Sequence, residues 1–311
     1  MKAVRIHQYG GYDVLTVEDA PRPVPREGEV LIRNYASSVN LFDGAVRAGY
    51  LHPYFNYSFP LIIGTDASGV VEEVGPGVTR FTPGDEVYTR AGVFRDGAQA
   101  EYVTALASDV ALKPQSIDHL HAAALPHVSL AAWYALIDVA DLKEGQTVLI
   151  HGAAGGVGHI ATQLARLRGA KVIGTGSLNL GFVNELGVDE AIDYSSVPFD
   201  EAVRDVDVVL DLIGGETQER SWKVLKPGGI LVTSQTIPAS QDAADAHGVR
   251  AGHVNSTPPM GATLTELAKL VDEGKIKPHV STILPLEEVR KGHELIDAGH
   301  TRGKIVLQIV Q

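Results

Sequence analysis

The run Val148-Leu149-Ile150-His151-Gly152-Ala153-Ala154-Gly155-Gly156-Val157-Gly158 constrains this chain more than any other stretch. An apolar, β-type segment stops at a glycine, three more glycines follow, and Val157, Ile160, Ala161, Leu164, Ala165 and Leu167 then recur near helical spacing. A strand that enters a helix through glycines brings bare backbone N–H groups to a helix N-terminus, whose dipole favours anions. Gly155 and Gly156 lack the Cβ atoms that would block a pyrophosphate, and Gly158 lets the helix pack tightly on its strand. The loop is therefore predicted to hold a dinucleotide through Gly152, Ala154, Gly155, Gly156 and Val157. The pattern is imperfect, because Ala153 stands where G-x-G-x-x-G has its first glycine. A tight strand–helix turn with no ligand is the competing reading.

The surrounding text agrees with a dinucleotide fold. After Thr147–Ile150, strands are predicted over Lys171–Thr175, Ala191–Tyr194, Asp207–Ile213 and Gly229–Ser234, with helical stretches between most of them. Such alternation specifies an α/β, doubly wound parallel sheet. A ribose-reading residue belongs at the end of the second strand. The sequence there is Gly174-Thr175-Gly176-Ser177-Leu178-Asn179, with no Asp or Glu to grip ribose hydroxyls and no Arg or Lys up to Asn184 to grip a 2′-phosphate. Ser177 and Asn179 offer neutral hydrogen bonds. NADPH is favoured over NADH on absent repulsion rather than on visible attraction, with NADH left open.

The first 113 residues read differently. Short runs such as Gly28–Arg33 and Gly69–Val74 are separated by Gly75-Pro76-Gly77 and Pro83-Gly84-Asp85, which suggests a compact β-barrel or sandwich. The text changes near residue 120, where Leu120–Ala140 reads as helix. Further helices are predicted near Thr263–Glu273 and Leu286–Ile296, with a last strand over Lys304–Val310.

No cysteine occurs among the 311 residues, which removes disulfides, thiolate nucleophiles and every zinc site built on sulfur. A formal net charge of −12 opposes general adhesion to nucleic acid or anionic membrane. No apolar run reaches the ~20 residues of a membrane span, and the opening Met1–Ile6 reads as a strand rather than a secretory signal, so a cytoplasmic location is expected. His119, His121 and His127 form the one tempting histidine cluster, more simply read as packing or surface.

Several blocks together resemble the medium-chain dehydrogenase/reductase superfamily, in its zinc-free, zeta-crystallin-like quinone oxidoreductase branch. They are Ser38–Asp43, Gly64–Gly69, Pro83–Val87, Ala98–Val103, Ala124–Pro126, Ala132–Leu136, the glycine loop, Ala191–Tyr194, Gly214-Gly215 and Arg302–Leu307. The resemblance implies a GroES-like β-barrel catalytic domain over 1–120 and 262–311 and a Rossmann domain over 121–261, with the active site in the cleft between them. Where zinc-dependent members carry Gly-His-Glu, this chain has Gly64-Thr65-Asp66. The resemblance nominates Asn40, Asp43 and Tyr50 around the active site. Asn40 would donate to ribose or substrate, with a turn role equally open, and Tyr50 would donate to a developing oxyanion, with packing equally open. Asp43 is more simply a helix-start residue or a partner for Arg47. The resemblance further places Tyr194 near the adenosine, Gly214 near the ribose and Ser234 towards the nicotinamide. One departure stands out: many relatives carry Leu-Thr-Ala, with the threonine close to the nicotinamide, where this chain has Leu130-Ala131-Ala132, which leaves backbone or Ser129 for that contact. The aromatic run Leu51–Tyr57 either lines a pocket for flat conjugated molecules or packs on its own domain.

Without a metal to polarise an unactivated carbonyl, the substrate is expected to be electrophilic already, a quinone or an α,β-unsaturated carbonyl compound. Two alternatives stand beside that reading: an enoyl-thioester reductase, and a non-catalytic NADP(H)-binding sensor or structural protein. The resemblance also implies a homodimer, with Gly248–Ser256 as a candidate sixth, edge strand.

Overall fold

The computed structural model describes residues 1–91, 95–254 and 259–310. The chain divides into two compact units, Met1–His127 with Pro258–Gly274 and Pro278–Gln311, and Val128–Thr257 with Lys275–Lys277. The first break falls after His127 rather than at residue 120. The reason is packing: Ala123 and Ala124, at the end of the helix His119–Ala123, bury against Ala36 and Val306 of the first unit.

The first unit is built around the long strand Glu29–Val39. It pairs antiparallel with Lys304–Gln308, Asp66–Val74 and Tyr102–Leu106. The sheet continues through Glu86–Arg90 to Val110–Leu112 on one side and through Val280–Pro285 on the other. One strand serves three partners because it bends, with register shifts at Leu31/Ile32 and Asn34/Ala36. Gly69 permits the second shift, since a Cβ there would lie 2.0 Å from the Arg33 carbonyl oxygen. A smaller sheet of Thr16–Asp19, Lys2–Ile6 and Leu61–Ile62 completes a GroES-like barrel. Its core includes Val4, Ile6, Leu15, Val39, Leu286 and Leu307.

The second unit is a six-stranded parallel sheet in the order Glu190–Asp193, Lys171–Gly176, Thr147–Ile150, Val206–Asp211, Leu225–Thr233, Arg250–His253. Strand order reverses at Thr147–Ile150, and a doubly wound sheet binds its ligand outside the carboxyl ends at such a point. The central strands are buried on both faces, so they read as apolar runs without alternation; every residue of Val206–Asp211 is buried. The sixth strand is confined to Arg250–His253; Asn255, Ser256 and Pro258 lie outside the described residues.

The stretch expected as one helix, Leu120–Ala140, is three elements. A short helix His119–Ala123 ends before Leu125-Pro126, a second runs Pro126–Trp133, and Tyr134–Val139 widens into a π-helix. Proline has no N–H to continue the first helix and disfavours helical backbone in the residue before it.

Candidate functional site

The loop after Thr147–Ile150 is held from below, and its upper side is left bare. Ala153 N–H donates to the Thr175 carbonyl at 3.1 Å, and Gly155 N–H to the Gly152 carbonyl at 3.0 Å. The helix Gly156–Leu167 then starts with no side-chain cap on its first N–H groups. Gly158 is the packing glycine. A Cβ there would stand 2.2 Å from the Gly152 carbonyl oxygen and 2.7 Å from Ala153 Cα, closer than real Cβ atoms come. At Gly155 the nearest atom, again the Gly152 carbonyl oxygen, is 3.3 Å away. The two glycines thus play different parts, Gly158 seating the helix and Gly155 keeping the approach to its N-terminus low. Ala154 is buried, while Gly152, Gly156 and Val157 are partly exposed around that approach.

Beneath the loop lies a hydrogen-bond chain that the motif alone does not reveal. Gly152 N–H donates to Thr175 Oγ1 at 3.3 Å, which directs the threonine hydrogen to His151 Nδ1, also at 3.3 Å. His151 therefore carries its proton on Nε2 and donates it to Ser221 Oγ at 3.0 Å; that hydroxyl donates to the Thr217 carbonyl at 2.6 Å. Burial pushes the His151 imidazole down to about 4, so the chain operates with a neutral ring.

The ends of the neighbouring strands complete this side of the sheet. Ser177 Oγ donates to the Tyr194 hydroxyl at 2.9 Å, which leaves the tyrosine hydrogen free to be donated outward from a half-exposed ring. Asn179 begins the helix Leu180–Glu185. Asp193 is the nearest acid, opposite Gly176 in the sheet register. Both its oxygens face its own turn, accepting from Ser195 N and Oγ and from Ser196 Oγ, and these bonds hold its carboxyl below the usual range. At the end of the fourth strand, buried Asp211 accepts from the N–H groups of Ile213 (3.0 Å) and Gly214 (2.9 Å) and from Gln218 Nε2 (2.8 Å). Gly214 has φ of 79°, a left-handed value that suits glycine. Ser234 N–H donates to the Asp211 carbonyl at 3.4 Å. Leu178, Ile213 and Ile237 expose apolar side chains after the second, fourth and fifth strands, the kind of rim that suits a flat base. Ser129 Oγ is buried with no hydrogen-bond partner among the described residues. A bare helix start, glycines where Cβ atoms would intrude, an apolar rim and an orphaned hydroxyl together fit a nicotinamide dinucleotide.

In the first unit, Asn40 is the cap of the helix Leu41–Ala48 and is buried. Its backbone N–H donates to Asp43 Oδ2 at 2.9 Å. Its Nδ2 donates to Asp66 Oδ2 (2.9 Å) and Thr65 Oγ1 (3.0 Å), and its Oδ1 accepts from Lys304 Nζ (2.5 Å). Both amide hydrogens are thus engaged within the unit; the sequence reading leaves Asn40 equally open as a donor to ribose or substrate and as a turn residue. Asp66 is buried; Ser38 Oγ makes a short bond to its Oδ2, and His127 N–H donates to its Oδ1 at 2.7 Å. Burial pushes the Asp43 carboxyl up to about 7, with Asp66 adding to the effect. Lys304 also donates to the Val39 carbonyl at 3.1 Å, and its ammonium lies 3.7 Å from Asp66 Oδ2. Sequence reasoning gave Lys304 no role. The signal was present as a lysine opening the otherwise apolar strand Lys304-Ile305-Val306-Leu307, since a buried ammonium must have partners.

Tyr50 follows the left-handed Gly49 that ends the helix, and it is 76 % exposed. Tyr54 is also exposed. The rest of the aromatic run packs on its own unit: Leu51 is buried, Phe55 and Tyr57 rest on the core, and Phe55 stands edge-on to Phe42 with centroids 6.2 Å apart. The three histidines are scattered. His119 Nδ1 meets Ser68 Oγ at 2.8 Å, His121 pairs with Asp118, and His127 is half-buried beside Phe42. Among the described residues no group of three or more His, Asp or Glu is placed to hold a metal. At Thr65-Asp66 the donors are hydroxyl, amide and carboxylate oxygens already bonded to one another and to an ammonium, with no thiolate or imidazole, a set that does not fit zinc. No helix among the described residues is long and apolar enough to cross a membrane.

A Rossmann sheet with an uncapped, glycine-lined helix start, carried with a GroES-like barrel, defines a pyridine-nucleotide dehydrogenase or reductase. Known families agree. The alcohol dehydrogenase GroES-like domain family matches residues 26–115, and the zinc-binding dehydrogenase family matches 186–307. The mitochondrial NAD(P)H oxidoreductase RTN4IP1 of Danio rerio is 32 % identical over all of this chain and 92 % of its own length. The 2-haloacrylate reductase of a Burkholderia species is 33 % identical over 98 % of each chain. Among solved structures, the quinone oxidoreductase of Coxiella burnetii superposes with a TM-score of 0.94 at 36 % identity, covering 100 % of this chain and 99 % of that one. The Escherichia coli quinone oxidoreductase complexed with NADPH superposes at 0.89 and 27 % identity, over 99 % of this chain and 100 % of that one. The chain belongs to the medium-chain dehydrogenase/reductase superfamily, in the branch of the quinone oxidoreductases.

Proposed function

We propose that this protein is a zinc-independent, NADPH-dependent reductase of quinones or α,β-unsaturated carbonyl compounds. The observation that carries the reading is the bare start of the helix Gly156–Leu167 over the packing glycine Gly158. The backbone N–H groups there take the pyrophosphate, with Gly152, Ala154, Gly155, Gly156 and Val157 around it. Ser177, Asn179 and Tyr194 take the adenosine ribose, and Gly214 and Ser234 the nicotinamide half. The bound cofactor supplies a hydride. Negative charge then develops on the substrate oxygen, and the exposed hydroxyl of Tyr50 is the donor we assign to it. Asn40 serves by fixing the turn from which the helix Leu41–Ala48 and then Tyr50 emerge, since its amide is fully engaged. An activated C=C or quinone suits a site whose donors are hydrogen bonds rather than a Lewis acid. The names of the 2-haloacrylate and quinone reductases support the same substrate class.

Three measurements test this. Calorimetric titration is expected to give a Kd for NADPH about tenfold below that for NADH, because no carboxylate opposes the 2′-phosphate and the Tyr194 hydrogen faces outward. A preference for NADH would reverse the cofactor assignment. NADPH consumption is expected with 1,4-benzoquinone or a simple enone and absent with unactivated ketones. Tyr50→Phe should lower kcat/KM about tenfold with the cofactor Kd unchanged. Unchanged turnover would remove Tyr50 from the reaction.

A further inference from the structure

The most deeply buried Lys or Arg among the described residues of the first unit is Lys304. Lys304 is 3 % exposed and opens a strand whose other residues are apolar up to Gln308. An ammonium taken out of water costs several kcal/mol unless its surroundings replace the lost hydration. Here they do. Its hydrogens meet the Val39 carbonyl and Asn40 Oδ1, and Asp66 Oδ2 stands 3.7 Å away as counter-charge. Asp43 is the second carboxyl that feels this ammonium.

The arrangement decides which way Asn40 faces. With Oδ1 towards Lys304, Nδ2 donates to Asp66 and Thr65; a flipped amide would press its hydrogens against the ammonium and its oxygen against a carboxylate. Asn40 is in turn the cap of the helix Leu41–Ala48, and the Gly49–Tyr50 turn closes that helix. A strand 264 positions away thereby sets the helix that presents the exposed tyrosine. We propose that the Lys304 ammonium is a built-in cation beside Thr65-Asp66, and that it is a positioning residue for the reduction, acting through Asn40 on the helix that carries Tyr50. It touches neither cofactor nor substrate. The inference rests on the proposed reductase reading for its kinetic arm only.

The test compares Lys304→Met, which keeps the length and loses the charge, Lys304→Arg and Lys304→Ala in the full chain. Lys304→Met should lower kcat at least about tenfold while the NADPH Kd stays within about twofold, because the cofactor cradle lies in the other unit. Lys304→Arg keeps the charge and should retain most of kcat. In Lys304→Ala, methylammonium chloride should raise both the melting temperature and kcat, and tetramethylammonium chloride at equal ionic strength should not, because it has no N–H to donate. Unchanged kcat in Lys304→Met, a parallel loss of NADPH affinity, or equal responses to the two ammonium salts would each overturn the proposal. If the wild type shows no turnover, the reductase reading has failed, while the difference in melting temperature between the two salts still decides the role of the cation.

Discussion

Replacing Gly158 by alanine should lower NADPH affinity at least about 100-fold, the largest effect expected of any single methyl group in this chain. The added Cβ would sit 2.2 Å from the Gly152 carbonyl oxygen and 2.7 Å from Ala153 Cα, both backbone atoms that cannot rotate aside. The helix Gly156–Leu167 must then lift by roughly 1 Å from the loop, and a misplacement of that size is enough to cost about 100-fold where groups must converge on a ligand. Overpacking should also lower the stability of the second unit by about 1–3 kcal/mol. Gly155→Ala provides the contrast. Its Cβ has 3.3 Å to the nearest atom and its backbone is in an extended conformation, so the fold should tolerate it. The same methyl would project beside the bare helix start and weaken cofactor binding with little loss in melting temperature. Calorimetry and thermal melts on both variants separate the two roles. Two variants that bind NADPH as the wild type does would show that the phosphates go elsewhere.

The glycine loop was legible because all of its signal is local. A strand, four glycines and a helical repeat lie within about twenty residues, and each carries a backbone meaning that needs no distant partner. The barrel was legible in outline for the same reason, through Gly/Pro-punctuated short strands. What supports both sites was not. Thr175 and Ser221 act on the loop through contacts made across strands, and Lys304 reaches Asn40 across most of the chain. No spacing rule links such positions; only the fold does. Asn40 shows the limit most clearly. Its sequence neighbourhood allows either a substrate donor or a turn residue, and the groups that engage its amide, Asp66 and Lys304, lie far from it in sequence. Pro126 is the opposite case, a local breaker whose effect the apolar composition of Leu120–Ala140 masks.

The same buried groups predict how the protein meets acid. His151 and His293 are pushed down to about 4, chiefly by burial, and their ordinary value is 6.5. Each is neutral when folded, and at Nδ1 the His293 ring already faces Arg47 at 3.0 Å, so a proton there would oppose a guanidinium. A histidine with a lowered folded value contributes stability that is present above pH 6.5 and is lost as pH falls towards 4. Between pH 7 and pH 5 the pair should cost about 4 kcal/mol. Asp43 works in the opposite direction. Its carboxyl, raised from 3.8 to about 7, binds a proton more readily folded than unfolded, so its contribution is full below pH 4 and is lost as pH rises through 7. It should return about 2 kcal/mol over the same interval. The histidines win, and the melting temperature should fall on acidification. Asp43→Asn removes only the opposing group, so that variant should lose stability more steeply than the wild type between pH 7 and pH 5. An equally steep fall in the variant would mean that Asp43 is ionised throughout this range, and that the ammonium of Lys304 neutralises both carboxylates rather than one.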